Sequence, residues 1–305
     1  MSQHLPTGGH RFLSEREIEK LDIMSVSDDS LKGYLLQVDL EYPQHLHDLH
    51  NDYPLAPESV EVHGCPKLIP NLNNKGKYVI HYRNLKQCLE LGMKLTKIHR
   101  VIEFDQSPWL KDYIDLNTNM RKKAGNDFEK DFFKLMNNAV FVETCENVRN
   151  RKDIHLTKGR KKAQKWINKP NFKSFKIFDE TLLACHMVKN KIKMDRPSYV
   201  GQAILDISKT VMYEFHYNVI KKMYGEKAQL LMTNTDSFCY HIQTEDVYKD
   251  MADMGGEFDT SNYPKNHPLY NEKYKKVNGL TLPRRLSYSL VYHFRRRIFQ
   301  SHEIE

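Results

Sequence analysis

The stretch Asp127-Phe-Glu-Lys-Asp-Phe-Phe-Lys-Leu-Met-Asn-Asn-Ala-Val-Phe-Val-Glu-Thr144 reads as one helix, running on to about Val148. At about 100° per residue, Lys134, Asn138 and Phe141 share a face at spacing i, i+4, i+7. Phe132, Met136 and Val140 fall opposite and are expected to bury against a core. A lysine, an amide and a ring in line on a core-anchored helix suit a nucleoside triphosphate. The ammonium would meet the phosphates and the ring would lie against base and sugar. The same spacing also fits a plain amphipathic helix with a solvated polar face.

A second stretch sharpens that reading. Leu230-Leu-Met-Thr-Asn-Thr-Asp-Ser-Phe-Cys-Tyr-His-Ile242 is an apolar run, a polar tip and an alternating return run, the pattern of a β-hairpin with Asp236 at its tip. Together the two stretches resemble motifs B and C of family B DNA polymerases, most closely the protein-primed branch of bacteriophages and Maverick/Polinton transposons. The family motifs read Lys-x-x-x-Asn-Ser-x-Tyr-Gly and Asp-Thr-Asp-Ser. Here they stand as Lys134-Leu-Met-Asn-Asn138-Ala-Val-Phe141-Val142 and Asn234-Thr-Asp236-Ser237, and the likeness extends to about Gly279. It implies an α+β fold, a partial polymerase palm of antiparallel sheet and helices with helical fingers.

Composition is compatible with that likeness. The chain has 305 residues, 40% hydrophobic and 28% charged, enough for one or two domains with proper cores. Its 47 Lys and Arg against 39 Asp and Glu give a formal net charge of +8, which suggests a polyanionic partner. Cys65, Cys88, Cys145, Cys185 and Cys239 are scattered and odd in number, the usage of reduced thiols without disulfides. No apolar run reaches the length of a membrane span, and the polar start shows no signal peptide. An intracellular protein is expected, nuclear if its host is eukaryotic.

In chain order, Met1-Ser-Gln-His-Leu-Pro-Thr-Gly-Gly9 resembles the family just after motif A, so the sequence reads as a fragment lacking the first palm aspartate and the exonuclease domain. Residues 1–110 are expected to form a palm-associated segment like the first terminal-protein region. Gly33 to Tyr42 alternates like a strand and ends at Pro43, with Asp39 outward. His45, His47, His50, His63 and Cys65 lack the regular spacing of a zinc site and read as a polar surface loop. Tyr78–Tyr82 and Lys94–Phe104 read as strands, with a short helix over Leu85–Leu91 between them. A helix opened by Pro108 and the motif B helix form the fingers, 111–149.

Residues 150–197 form a basic insertion like the second terminal-protein region. Lys158, Arg160, Lys161, Lys162 and Lys165 surround Trp166, a pattern suited to tracking a phosphate backbone and stacking bases. It equally describes a solvated charged loop. Residues 198–260 read as palm, with a long helix from Tyr199 to Tyr224 whose buried stripe is Ile204, Ile207, Val211, Phe215 and Val219. Residues 261–305 read as a divergent start of thumb or a basic tail.

The resemblance implies DNA-directed DNA polymerisation with deoxynucleoside triphosphates as substrates, template-primer DNA as partner, and a terminal protein as primer. Two magnesium ions would assist in-line attack on the α-phosphate, held by carboxylates from separate strands. Asp236 would be the motif C metal ligand and catalytic residue, with Ser237 supporting the tip. Lys134 would clamp the triphosphate, while Asn138 and Phe141 would wall the nucleotide pocket. Three degenerate positions point to impaired catalysis: Asn234 for aspartate, Ala139 for serine and Val142 for glycine. Losing a metal carboxylate costs about three decades in rate or more. The alternatives are a non-catalytic, polymerase-derived nucleic-acid-binding module, a decayed reading frame and, more remotely, a nuclease.

Overall fold

The computed structural model describes residues 1–234, 236–254 and 256–275, and the strand backbones over 281–285 and 291–296. In chain order the elements are β1 (Leu5–Phe12), α1 (Glu15–Glu19), β2 (Lys32–Glu41), α2 (His47–His50), β3 (Glu58–Val62), β4 (Cys65–Ile69), β5 (Lys75–His81) and α3 (Tyr82–Glu90). Then come β6 (Lys94–Ser107), α4 (Lys111–Lys123), α5 (Asp127–Thr144), β7 (Asp153–Lys158), α6 (Arg160–Ile167), β8 (Phe172–Ile177) and β9 (Leu182–Met187). The chain continues through α7 (Ser198–Tyr213), a π-helix over Glu214–Lys221, α8 (Lys222–Tyr224), β10 (Ala228–Asn234), β11 (Ser237–Ile242), α9 (Val247–Asp253), β12 (Thr281–Arg285) and β13 (Val291–Arg296). The class is α+β, with every strand pairing antiparallel.

The chain divides into two compact units. One comprises residues 1–140 and 202–305, the other Phe141–Gly201. The first holds two four-stranded sheets, ordered β1-β6-β2-β5 and β10-β11-β13-β12, and the β3-β4 hairpin. In β2 the period of two is explicit: Leu36, Val38 and Leu40 are buried while Gln37, Asp39 and Glu41 alternate with them. Gly33 pairs directly with Phe104, whose ring lies where a Cβ would stand, 2.4 Å away, so any larger side chain here would displace it. Lys75 is buried, yet its ammonium reaches Glu58 Oε2 at 3.0 Å and the Asn71 carbonyl at 3.1 Å, which compensates the charge.

The long helix α7 is shared by two cores. Tyr213 and, in the π-helix, Tyr217 pack with Leu36, Val38, Leu40 and Leu85. Met212, Phe215 and Ile220 pack instead with Phe238, Tyr240, Ile242 and Met251. Regular α periodicity cannot serve both sides over this length, and the ladder changes from α to π at Glu214. The buried stripe therefore departs from the sequence expectation: Ile204, Ile207 and Phe215 are buried, but Val211 and Val219 are only half-buried. Gln87 on α3 donates through Nε2 to the Thr210 carbonyl at 2.9 Å, just before the change.

Of the histidines and cysteine read as a polar surface loop, His45, His63 and Cys65 are exposed, but the 45–55 segment is partly core. Leu46, His50 and Leu55 are buried, and His50 Nδ1 lies 2.8 Å from the Tyr42 hydroxyl. Among the described residues no group of three or more His, Cys, Asp or Glu can hold a metal ion. All five cysteines are free thiols. No helix among the described residues is long and apolar enough to cross a membrane. The segment read as a divergent start of thumb or a basic tail includes β12 and β13, which extend the sheet of β10 and β11; residues 276–280, 286–290 and 297–305 lie outside the described residues.

The second unit has a sheet ordered β7-β9-β8 and the helix α6. A Cβ on Gly201 would sit 2.4 Å from Cys145 Sγ and 2.8 Å from Thr144 Oγ1, so the two ends of this unit meet at a glycine. Arg196 reinforces the closure, with Nη2 2.8 Å from Glu143 Oε2 and Nε 2.8 Å from Glu146 Oε2.

Three histidines give the first unit a pH dependence. Burial lowers His50 to about 4 and His81 and His216 to about 3. Each stays neutral in the fold but takes up a proton near its ordinary value of 6.5 when unfolded. Their contribution is therefore complete above pH 6.5 and is lost as pH falls toward 4, by about 1.4 kcal/mol per pH unit for each proton taken up. Urea midpoints at pH 7 and pH 5 check this. The pH 5 midpoint is expected to be clearly lower, and equal midpoints would contradict it.

Candidate functional site

Two elements carry the residues singled out in the sequence. The first is α5, which ends at Thr144, with a turn and a 3-10 segment over Val148–Asn150 in place of the expected run to Val148. Asn126 Oδ1 accepts from the Glu129 backbone amide at 2.8 Å, and Glu129 Oε2 in return accepts from the Gly125 amide at 3.0 Å. Those contacts satisfy amides that the first turn leaves unpaired. The end fixed in this way sets the helix register.

Its faces run opposite to the sequence expectation. Lys134, Asn137 and Thr144 are buried, whereas Phe132 is 46% exposed and Phe128, Leu135 and Val142 are exposed as well. Met136 and Val140 are half-buried. The reason lies in the composition: Phe128, Phe132, Phe133, Leu135, Met136, Val140, Phe141 and Val142 fall at nearly every angle around the helix. An apolar stripe this wide cannot select its own buried side. Lys134 is thus a buried cation engaged by neighbours, and Asn138 and Phe141 flank it at intermediate burial. Ala139 is half-buried too.

The second element is the hairpin. β10 and β11 pair from Ala228↔Ile242 to Asn234↔Ser237, with a shift in register between Leu230 and Met232. Thr235 lies outside the described residues; Asp236 follows it, 4% exposed. Ser237 Oγ donates to the Asn234 carbonyl at 2.9 Å across the tip, while Asn234 itself is exposed. Phe238 and Tyr240, at the alternate positions after Asp236, are completely buried.

What holds β11 is a cluster that sequence reasoning missed. His216 Nδ1 lies 2.8 Å from the Tyr240 hydroxyl and its ring stacks on Tyr240 at 5.8 Å between centroids. Tyr53 meets Phe238 edge-on at 5.3 Å and His216 at 5.4 Å. Lys221 Nζ bonds Asp52 Oδ2 at 2.8 Å and the Ala228 carbonyl at 3.0 Å, tying the same segment to the start of β10. The run of Tyr and His at 213, 216 and 217 was the available signal, since aromatic rings with polar tips recur where a core must also hydrogen-bond. Asp39, the outward carboxylate of β2, is held elsewhere: its Oδ1 accepts from the Lys77 amide at 2.7 Å and lies 2.8 Å from His99 Nε2. The backbone bond, then His99, keeps its carboxyl below the usual range.

In the second unit the basic cluster lies on and beside α6. Lys158, Arg160, Lys161, Lys162 and Lys165 are all exposed. Trp166 is already stacked on His155, with 3.6 Å between centroids and an 11° tilt, and the Lys169 ammonium stands 3.7 Å from its centroid. A base would have to displace one of them; Phe175 and Phe178 are exposed, the first stacked on Phe172 at 6.4 Å and the second with the Lys176 ammonium 5.6 Å from its centroid. Phe141–Gly201 holds 15 Lys and Arg against 6 Asp and Glu, leaving 32 against 33 for the other 244 residues. One contiguous unit carries the whole positive balance.

No family model matches the chain, and no curated protein does. Two solved structures are similar in chain trace. Phi29 DNA polymerase complexed with primer-template DNA has a TM-score of 0.45 and 15% identity, over 82% of this chain and 37% of that one. Phi29 DNA polymerase in an orthorhombic crystal form has a TM-score of 0.46 and 14% identity, over 80% and 36%. The chain thus spans little more than a third of the length of either.

The charge segregation is directly testable. A chain with Arg160, Lys161, Lys162 and Lys165 changed to Ala is expected to bind duplex or single-stranded DNA more weakly. Its plot of log affinity against log salt should be shallower by about one for each phosphate no longer neutralised. Fluorescence anisotropy between about 50 and 200 mM salt measures both slopes. Identical slopes, or no binding by either chain, would contradict a role for these four cations in holding a nucleic acid.

Proposed function

We propose that the chain is a palm-and-fingers unit of a DNA-directed DNA polymerase of the protein-primed family B type, with weakened nucleotidyl transfer. The observation that supports this most is the hairpin: a buried carboxylate, Asp236, stands at the tip of two strands held from behind by His216, Tyr53 and Lys221. A rigid tip of this kind can present a carboxylate without reorganisation at the moment of reaction. In this reading the cations of Phe141–Gly201 take the phosphates of template-primer DNA without regard to sequence. Lys134 meets the triphosphate of the incoming nucleotide, and Asn138 and Phe141 border its base and sugar. Because Lys134 is buried, a phosphate reaching it is paired in a water-poor setting, where charge attraction is strong. A terminal protein as primer belongs to the same proposal.

The residues do not fit a two-magnesium centre. Asn234 contributes a neutral amide beside Asp236, and no group of three or more His, Cys, Asp or Glu that could hold a metal ion occurs among the described residues. No step is therefore derived through metal ions. That observation favours a second reading, a nucleic-acid-binding module of polymerase descent that no longer catalyses.

Primer extension with magnesium and all four deoxynucleotides separates the two. The polymerase reading expects slow extension that disappears on Asp236→Ala, a loss of about three decades or more, with DNA affinity unchanged. No extension by either chain, with DNA binding retained, selects the binding module. Failure to bind DNA at all would overturn both.

A further inference from the structure

Helix α3 and the α-to-π junction after α7 border a cleft of about 560 Å³ that the proposed polymerase chemistry does not use. Its volume lies in the range of about 300–1,000 Å³ usual for small-molecule sites. Arg83, Lys86, Gln87 and Glu90 repeat at i, i+3, i+4 and i+7, so α3 turns one face to it. Thr210 and Glu214 come from the opposing helix, and Asp28 closes one end.

Both cations of this lining pair with Asp28, while Arg83 Nε is buried without a partner among the described residues. Arg83 Nη2 lies 2.8 Å from Asp28 Oδ2, and its Nη1 donates to Gln3 Oε1 at 3.3 Å. Lys86 Nζ donates to the Val26 carbonyl at 2.7 Å and stands 3.8 Å from Asp28 Oδ1. Asp28 thus serves both. Glu90 and Glu214 are exposed, and Glu214 accepts a neutral amide hydrogen, from Asn218 Nδ2 at 2.8 Å. The lining carries two cations against three carboxylates.

An independent observation comes from Gln87. The residue is 8% exposed; Nε2 donates to the Thr210 carbonyl, but Oε1 is buried with no hydrogen-bond partner among the described residues. A buried acceptor left without a donor is costly, and such groups mark a place where something is missing. The cleft therefore calls for N–H donors together with positive charge. An anion would meet three carboxylates and two cations that Asp28 already pairs, and an apolar ligand would leave Gln87 unmet. A bare divalent ion lacks its cluster of ligands among the described residues.

We propose that this cleft binds an alkyl-ammonium or alkyl-guanidinium group, with N–H donors directed to Gln87 Oε1 and charge balanced by Glu90 and Glu214. That chemistry is shared by a free polyamine and by a lysine or arginine side chain of a protein partner. Such binding is independent of polymerase activity.

The test is isothermal titration of the intact chain with spermidine and, separately, with N-acetyl-argininamide at fixed ionic strength. Saturable binding of one probe molecule per chain is expected. It should weaken about tenfold or more in a Glu90→Gln/Glu214→Gln double variant, whose melting temperature stays unchanged because both side chains are exposed. Gln87→Met should weaken it too, but this change also removes the Thr210 hydrogen bond, so the double variant decides. Tighter binding of spermidine identifies a free polyamine, and tighter binding of argininamide identifies a basic side chain of a partner. No saturable binding of either probe, or equal affinity in the double variant, overturns the proposal.

Discussion

The first unit depends on one helix being packed from two sides. α7 and its π continuation supply Tyr213 and Tyr217 to the core under β2 and α3, and Met212, Phe215 and Ile220 to the core under β11. Each large side chain fully buried there is worth about 1.5–3 kcal/mol. No single α-helical stripe can bury both sets, because residues four apart return to one face. A π turn slips the register by about one residue and lets the second set turn inward. Gln87 donating to the Thr210 carbonyl, and Asp206 Oδ2 accepting from the His81 amide at 2.9 Å, tie the turn before the slip to α3 and β5.

From that constraint follows the order at the hairpin. The slip carries His216 to Tyr240, and Tyr53 fills the angle between His216 and Phe238. β11 is thereby fixed along its buried face, and Asp236 inherits a defined position from the strand that begins one residue later. Buried histidine is the suitable residue for this work. Neutral imidazole offers one donor and one acceptor on a flat ring, so it can stack and hydrogen-bond together. The same burial makes it a proton acceptor in waiting once the chain opens.

Strands were legible in the sequence because period-two alternation needs no tertiary knowledge. The sequence boundaries of β2 and of β10–β11 agree with the structure within a few residues, and Pro43 ends β2 as its missing amide requires. The face of α5 was not legible. Its aromatic and aliphatic residues surround the helix, and a lysine, Lys134, holds the buried side. Burial of a charge is settled by partners distant in sequence, which a periodicity cannot encode. The π-helix was hidden for a related reason, since it answers to two cores that meet only in the fold. The 45–55 segment misled through composition: its histidines look solvated until Tyr42 and Tyr217 close around His50.

Charge placement separates two tasks that a single net charge conceals. In the function proposed above, a strong, unspecific hold on a polyanion would have to coexist with a pocket where small differences in geometry decide. Positive charge spread over the whole surface would raise affinity everywhere and blur the second task. Here the unit Phe141–Gly201 carries the excess and closes on itself through Gly201 and Arg196, while the unit bearing Lys134 and Asp236 is near neutral. Within that near-neutral unit Lys134 is a buried cation and Asp236 a buried carboxylate. Their fields are then set by the few groups that touch them, which is the condition under which a single substitution at either position has a readable effect.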